Sequence, residues 1–387
     1  MRVVLFLTFL CCHLIHADAP PIQQWIDEAI NAGGGVVTIP EGVHVLSKGL
    51  FLKNAKKLAL RGISKERCVL KLPLLTYAVC AQDTAAGKSE LRVHSQRGWV
   101  PGMRARIECA GAMDALKKQP SSYGLAIIKE VKLGLLLFQD TLSFPVPANA
   151  IIRHEDAPNL IEIRGACETL EVANLTLDGG RVAADPKVQG HAQLCAVFAA
   201  GAYDYAKGPT GVKPKDIVVR DCIFQNFFGR GVALYSAEKA EIQRCSFRDI
   251  CDEAIAFDHF TTDSSAIGNQ ITRCRIAFEL NHANDCVIAG NEARDCGIGV
   301  SLWRWCLNPR LNEGHRVQNN SFVSMSGNAV QIGTGTKGNF FEDNDIENPG
   351  RHGFSIAGEA QVLKNNRVTG SGLQAIVIQE GDHKIMP

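Results

Sequence analysis

Residues 217–236 read IVVRDCIFQNFFGRGVALYS, residues 240–259 read AEIQRCSFRDICDEAIAFDH, and residues 315–334 read HRVQNNSFVSMSGNAVQIGT. Each is a short alternating strand, a tight polar corner and a second strand. The same pattern runs through 269–282, 286–305, 339–358 and 360–379. The corner falls on Cys222, Cys245, Cys274, Asn291, Asn320, Asn344 and Asn366, at spacings of 23, 29, 17, 29, 24 and 22 residues that average 24. A coil of that length makes one turn of a solenoid whose stacked coils sit about 4.8 Å apart and pair their backbones. Leucine-rich repeats share the length but need several leucines per turn at fixed offsets, which these turns lack. The pattern therefore predicts an all-β chain folded as a single-stranded parallel β-helix.

The corner column reads as structural. Asn tolerates a left-handed corner and bonds its neighbour one coil away, while Cys fills the same inward slot without a polar demand. Asn174 and Asn319 also match the glycosylation sequon, and their strand or corner positions predict burial. Ahead of the repeat, IQQWIDEAINAGGGVVTIPEGVHVL places Ile22, Ile26 and Ile30 on one face of a short helix stopped by Gly33, Gly34 and Gly35. That helix is expected to cover the first coil, which would otherwise be an open sheet edge. The rhythm breaks from about 89 to 152, where LRVHSQRGWVPGMRARIECAG and IIKEVKLGLLLFQDTL suggest a small antiparallel β insertion. A long loop is expected from about 181 to 215, of the kind that walls a groove. No capping helix follows the last coil, so its end is expected to be covered by a short tail or another subunit, through which the chain would oligomerise.

The first residues, MRVVLFLTFLCCHLIHADA, place Arg2 before an apolar run and end on Ala17-Asp18-Ala19, the layout of a secretory signal peptide over 1–19. The remaining 20–387 form one domain. The protein is expected to be exported, to an extracellular, periplasmic or cell-surface location. No later segment reaches about 18 apolar residues, so no membrane association is expected once the signal is removed. A formal charge of +1 offers no broad field for nucleic acid. Twelve cysteines follow the signal; six disulfides are one reading, and buried thiols at repeat positions are the favoured one in a chain with a core this large.

The N-terminal WIDEAINAGGGVVTIPEGVHVL, the LTLDGG turn near 175–180 and the coils together resemble the pectin-lyase-like superfamily of right-handed β-helix proteins. That resemblance implies a right-handed coil and a carbohydrate site on the outer face of one sheet, near the middle of the stack. Its members include glycosidases, lyases, epimerases, phage tailspikes and catalytically silent proteins. The segment Asp252-Glu253-Ala254-Ile255-Ala256-Phe257 is similar to the Asp-Asp-Cys-Ile-Ala-Ile type of segment in polygalacturonase-like glycosidases, which implies catalytic roles for Asp252 and Glu253. The chain departs from that family in carrying Gly229 and Arg230 where another Asp stands, and in lacking Gly-His-Gly and Arg-Ile-Lys segments.

Aligning the coils on a small residue followed by an apolar one points a polar set outward, densest from Asp252 to Arg304. Candidate catalytic residues are Asp252, Glu253, Asp258, His259, Glu279, His282 and Arg304. Candidate substrate-binding residues are Arg230, Tyr235, Trp303, Gln331 and His352. Sugar hydrolysis needs a general acid and a second carboxylate, and Trp303 or Tyr235 offers a face for a pyranose. Elimination or epimerisation at a uronate uses the same cluster differently: Arg304, His259 or His282 as base, and Arg304 or a Ca²⁺ held by Asp258 and Glu279 to neutralise the carboxylate. The leading expectation is a polysaccharide-degrading glycoside hydrolase with paired carboxylates. The alternatives are a uronate lyase or epimerase and a non-catalytic carbohydrate-binding or surface protein.

Overall fold

The computed structural model describes residues 21–113, 120–182, 194–304 and 308–386, so the signal expected over 1–19 lies outside the described residues. Three parallel sheets run along a stack of coils. Sheet 1 has 11 strands, from Gly35–Ile39 to Lys384–Met386. Sheets 2 and 3 have 10 each, from Gly42–Val45 to Arg367–Thr369 and from Leu50–Lys53 to Ile376–Ile378. One coil visits them in that order, as in Glu238–Gln243, Ser246–Ile250 and Glu253–Asp258.

In-register pairing stacks like on like. Leu60, Val172, Val219, Ile242, Ala266, Ile288, Val317, Phe341 and Leu363 form one continuous inward file along sheet 1, every member buried. Phe224 lies flat on Phe247, with ring centroids 4.4 Å apart. Each such side chain contributes roughly 1.5–3 kcal/mol by leaving water. The helix Ile22–Asn31 closes the first coil by burying Ile22 and Ile26, as its spacing predicted. Gly34 makes the exit from that helix, at φ +129° and so close to Lys57 that a Cβ would lie 2.6 Å from its carbonyl oxygen.

The polar corner is a ladder of asparagines, with one correction to the sequence reading. Its members are Asn269, Asn291, Asn320, Asn344 and Asn366, and Cys274 is not among them. The Oδ1 of each accepts the backbone N–H of the residue one coil earlier, beginning with Cys245 on Asn269 at 3.0 Å. Each Nδ2 donates to a strand carbonyl, as Asn320 does to Ile288 at 2.9 Å. Cys274 sits at the following corner of its coil, where its thiol is hydrogen-bonded to the thiol of Cys296. Only the strand Gln270–Thr272 separates the two corners, and both accept an inward Cys, so spacing alone confused them. A second ladder, unforeseen, precedes sheet 1: His315 Nδ1 accepts from Cys286 N, Asn339 Oδ1 from His315 N, and Gln361 Oε1 from Asn339 N.

Other boundaries shift. The six-stranded antiparallel insertion begins at Tyr77–Val79, not near 89, and ends at Ile151–His154 around its own core of Leu91, Ile107, Phe138 and Ile152. The stretch expected as a loop from 181 to 215 contains Val197–Ala200, a full member of sheet 3, followed by a hairpin of Tyr203–Asp204 and Gly208–Pro209. Asn319 is exposed rather than buried, because its neighbour Asn320 takes the inward ladder position. The ten cysteines with described side chains are free and buried.

Two stability outcomes are expected. Asn320→Ala orphans the groups it serves and should lower the unfolding free energy by about 2–4 kcal/mol, read as a shifted urea midpoint at constant m. Burial holds the His315 imidazole neutral, its pKa pushed from 6.5 down to about 3. The unfolded ring takes a proton below 6.5 and the folded one does not. This contribution is therefore complete above pH 6.5 and is lost as pH falls toward 3, amounting to about 3 kcal/mol by pH 4.5. His315→Asn keeps a ladder acceptor and should flatten the acid limb in a pH series of denaturant melts.

Candidate functional site

The outer face of sheet 3 carries two adjoining files. One runs Ala233, Ala256, Glu279, Ser301, Gln331 and Ser355; the other runs Tyr235, Asp258, Asn281 and Trp303. Alternation within Glu253–Asp258 and Ile276–Asn281 sends these side chains away from the core, as the sequence predicted. They do not line an open groove, however. Asp252, Glu253 and Asp258 are each 1% exposed, and Glu279 is 2% exposed. Above them, Tyr203 packs on Tyr235 and His259, and Tyr205 packs on His259 with centroids 5.1 Å apart.

Eight of the candidates converge. Glu253 accepts from both Arg230 and Arg275, and Arg275 also holds Asp252, with Nε 2.6 Å from Oδ1. Arg230 continues to the Tyr235 hydroxyl and comes within 4.0 Å of Glu279 Oε2. Trp303 donates its indole N–H to Glu279 Oε1 at 2.6 Å. Asp258 Oδ1 accepts the His259 backbone N–H at 2.8 Å and lies 2.9 Å from its Nδ1.

Burial disfavours the charged form of every carboxyl here, and the two guanidiniums bond Asp252 and Glu253 while Glu279 is only within 4.0 Å of one of them. Burial, reinforced by the Glu253 charge, raises Asp252 to about 7. Burial would raise Glu253 too, but Arg230 and Arg275 outweigh it and hold that group ionised, near 2. Burial, and then the charges of Glu253 and Asp258, lift Glu279 well above the carboxylate range. Among the described residues, its Oε2 has no hydrogen-bond partner.

The expected catalytic pair, Asp252 and Glu253, is tied to the arginines. Asp252 and Glu253 reach the same nitrogen, Arg275 Nη2, and bond each other. They form an ion cluster with the arginines.

Other candidates fall away from the cluster. His282 is fully buried against Phe260, and burial drops its pKa to about 4. Arg304 donates to Pro309 O at 3.3 Å. Gln331 is exposed two coils beyond Glu279, about 10 Å along the stack. His352 stands four coils from Glu253, roughly 19 Å away, and serves Gln374 N as a ladder acceptor. Among the described residues, no group of three or more His, Cys, Asp or Glu side chains converges as a metal site.

Sequence reading missed Arg275, Tyr203 and Tyr205. For Arg275 there was a signal. Asp252 and Arg275 are 23 residues apart, one coil, as are Arg230 and Glu253 and again Asp221 and Arg244. Opposite charges one coil apart mark stacked ion pairs. The two tyrosines lie outside the repeat and carry no such mark.

A family model described as the right-handed β-helix region matches residues 202–344. The chain is a right-handed parallel β-helix. No curated protein matches it in sequence. Among solved structures, this β-helix is similar to the A-module of the mannuronan C-5 epimerase AlgE4 of Azotobacter vinelandii, with TM-score 0.55 and 14% identity over 94% of this chain and 90% of that one. It is also similar to a glycoside hydrolase, with TM-score 0.52 and 11% identity over 94% and 92%. A third likeness is to the enzymatically active domain of bacteriophage CBA120 tailspike protein 2, with TM-score 0.54 and 11% identity over 94% and 44%. At these identities the likeness is one of fold.

The cluster predicts an asymmetry between two isosteric changes at pH 7. Glu253→Gln strips the ionised partner from Arg230, whose side chain is only 11% exposed, and from the half-buried Arg275, and should cost about 3 kcal/mol. Asp252→Asn replaces a group that already carries a proton much of the time and should cost far less. Equal losses in parallel urea melts would contradict the assignment of the proton to Asp252.

Proposed function

We propose that the chain is an exported glycoside hydrolase acting on a polysaccharide, with Glu279 as proton donor and Asp258 as the second carboxylate. The observation that carries this reading is Glu279 itself: buried beside the Trp303 indole, pushed toward the neutral form, with Oε2 unpartnered. A carboxyl group kept neutral against an indole, near a second carboxylate in a polar, hydrogen-bonded setting, is how one site supplies acid and base at a single pH. Glu279 gives its proton to the glycosidic oxygen as the bond to the anomeric carbon breaks. Asp258, steadied by His259, either takes the proton of the attacking water or bonds the anomeric carbon, and the anomer of the product distinguishes the two. Arg230 and Arg275 keep Glu253 ionised, and its negative charge helps hold the proton on Glu279. The similarities to a glycoside hydrolase and to a tailspike's enzymatically active domain agree with this reading.

One observation favours a second reading, uronate epimerisation or elimination. His259 is oriented by Asp258 as a base would be, beside a hydroxyl, that of Tyr235, held by an arginine. The mannuronan epimerase is a neighbour in fold.

The test is incubation with a panel of neutral and uronic-acid polysaccharides, with and without Ca²⁺, following reducing ends and the ultraviolet absorbance of unsaturated uronates together. New reducing ends alone are expected. Glu279→Gln should lower kcat by about 10²–10⁴-fold, while Asp252→Asn stays within about tenfold of wild type. With Glu279 as the acid, activity should persist through neutral pH and fall on the alkaline side. Coincident absorbance would establish elimination, and polysaccharide retention without turnover would establish a binding protein.

A further inference from the structure

We infer that the hairpin of Tyr203–Asp204 and Gly208–Pro209 is a movable cover, and that Tyr203 and Tyr205 on it bind the sugar by stacking; this rests on the carbohydrate-active reading above. A polymer cannot touch Glu279 or Asp258 as they stand, since both are buried and His259 beside them is only 5% exposed. Among the described residues, His259 is packed by Tyr235 of sheet 3 and by two side chains of this hairpin. Tyr203 lies against His259, Tyr235 and Phe260, with centroids 5.1, 6.2 and 6.1 Å apart, and Tyr205 reaches His259 from the side. Tyr205 is itself 48% exposed, so one aromatic ring spans from the closed site to solvent.

The attachment of the hairpin is uneven. Its base is fixed by Thr210 N donating to Ala202 O and Ala202 N donating to Val212 O. Among the described residues, the hydrogen bonds that hold its tip to the rest of the chain come from Asn308, whose backbone N–H donates to Tyr205 O at 3.0 Å and whose Nδ2 donates to Ala206 O at 2.8 Å. Losing the two Asn308 bonds loosens the tip while the base holds, which is the mechanics of a hinge. Once lifted, the cover presents two tyrosine faces to whatever enters. The ligand class that fits an aromatic ceiling above a carboxylic acid is a pyranose unit, with apolar C–H faces and polar edges.

The experiment reads the cover and the sugar separately. Native protein and the Asn308→Ala variant are treated with diethyl pyrocarbonate at neutral pH, and acylation of His259 and of the fully buried His315 is followed by peptide mass spectrometry. The expected result is slow reaction at His259, about tenfold faster in Asn308→Ala, with His315 silent in both. If His259 is as unreactive as His315 in both proteins, the cover does not move and the inference falls. On a polysaccharide that the native protein cleaves or retains, Tyr203→Ala and Tyr205→Ala should raise KM or Kd about tenfold with less effect on kcat. Unchanged KM and Kd would overturn the stacking role. If His259 opens as expected but no polysaccharide is cleaved or retained, the carbohydrate reading fails and the hinged cover stands.

Discussion

The whole stack of coils follows from parallel backbone pairing at a spacing of about 4.8 Å. Because the strands of successive coils are hydrogen-bonded in register, each residue has a fixed neighbour above and below it. That rule makes Val219 sit on Val172, Asn320 sit beside Asn291, and Arg275 reach Asp252. Core, corner and charged cluster are three uses of one translation, differing only in which side chain is repeated.

The same translation shapes the chemistry. Stacking like residues is favourable for Leu or Phe and unfavourable for carboxylates, so acidic side chains on adjacent coils need an intervening charge or a proton. Here Arg230 and Arg275 are interleaved with Asp252 and Glu253, while Glu279 lies one coil further, touched by the Trp303 indole and only distantly by Arg230. Glu253, bonded by both arginines, stays ionised, while burial and the Glu253 charge lift Asp252 and Glu279.

The period, the helix over the first coil and most outward positions of sheet 3 were legible, because each depends on a pattern repeated many times or on a strong local signal. The ladder was legible only in part. Asn269 and Cys274 occupy two corners of one coil, and a motif that accepts either Asn or Cys cannot say which is which. Burial of the candidate site was not legible at all. Tyr203 and Tyr205 belong to a hairpin inserted after Val197–Ala200, and no periodicity announces where a non-repeating segment will fold back. Asp252 and Glu253 matched a catalytic pattern by residue type; their ion pairing depends on Arg275, a residue in the next coil.

The antiparallel insertion shows what the stack tolerates. The chain leaves sheet 2 after Cys68–Lys71 and joins sheet 3 at Ile161–Arg164, and that strand still pairs in register with Leu50–Lys53 on one side and Val197–Ala200 on the other. Loop-closure entropy grows only logarithmically with length, about 0.6 kcal/mol for each doubling. A corner between two sheets is therefore a grafting point, where a whole folded module with its own core can be spliced into the solenoid without the coils on either side registering its size.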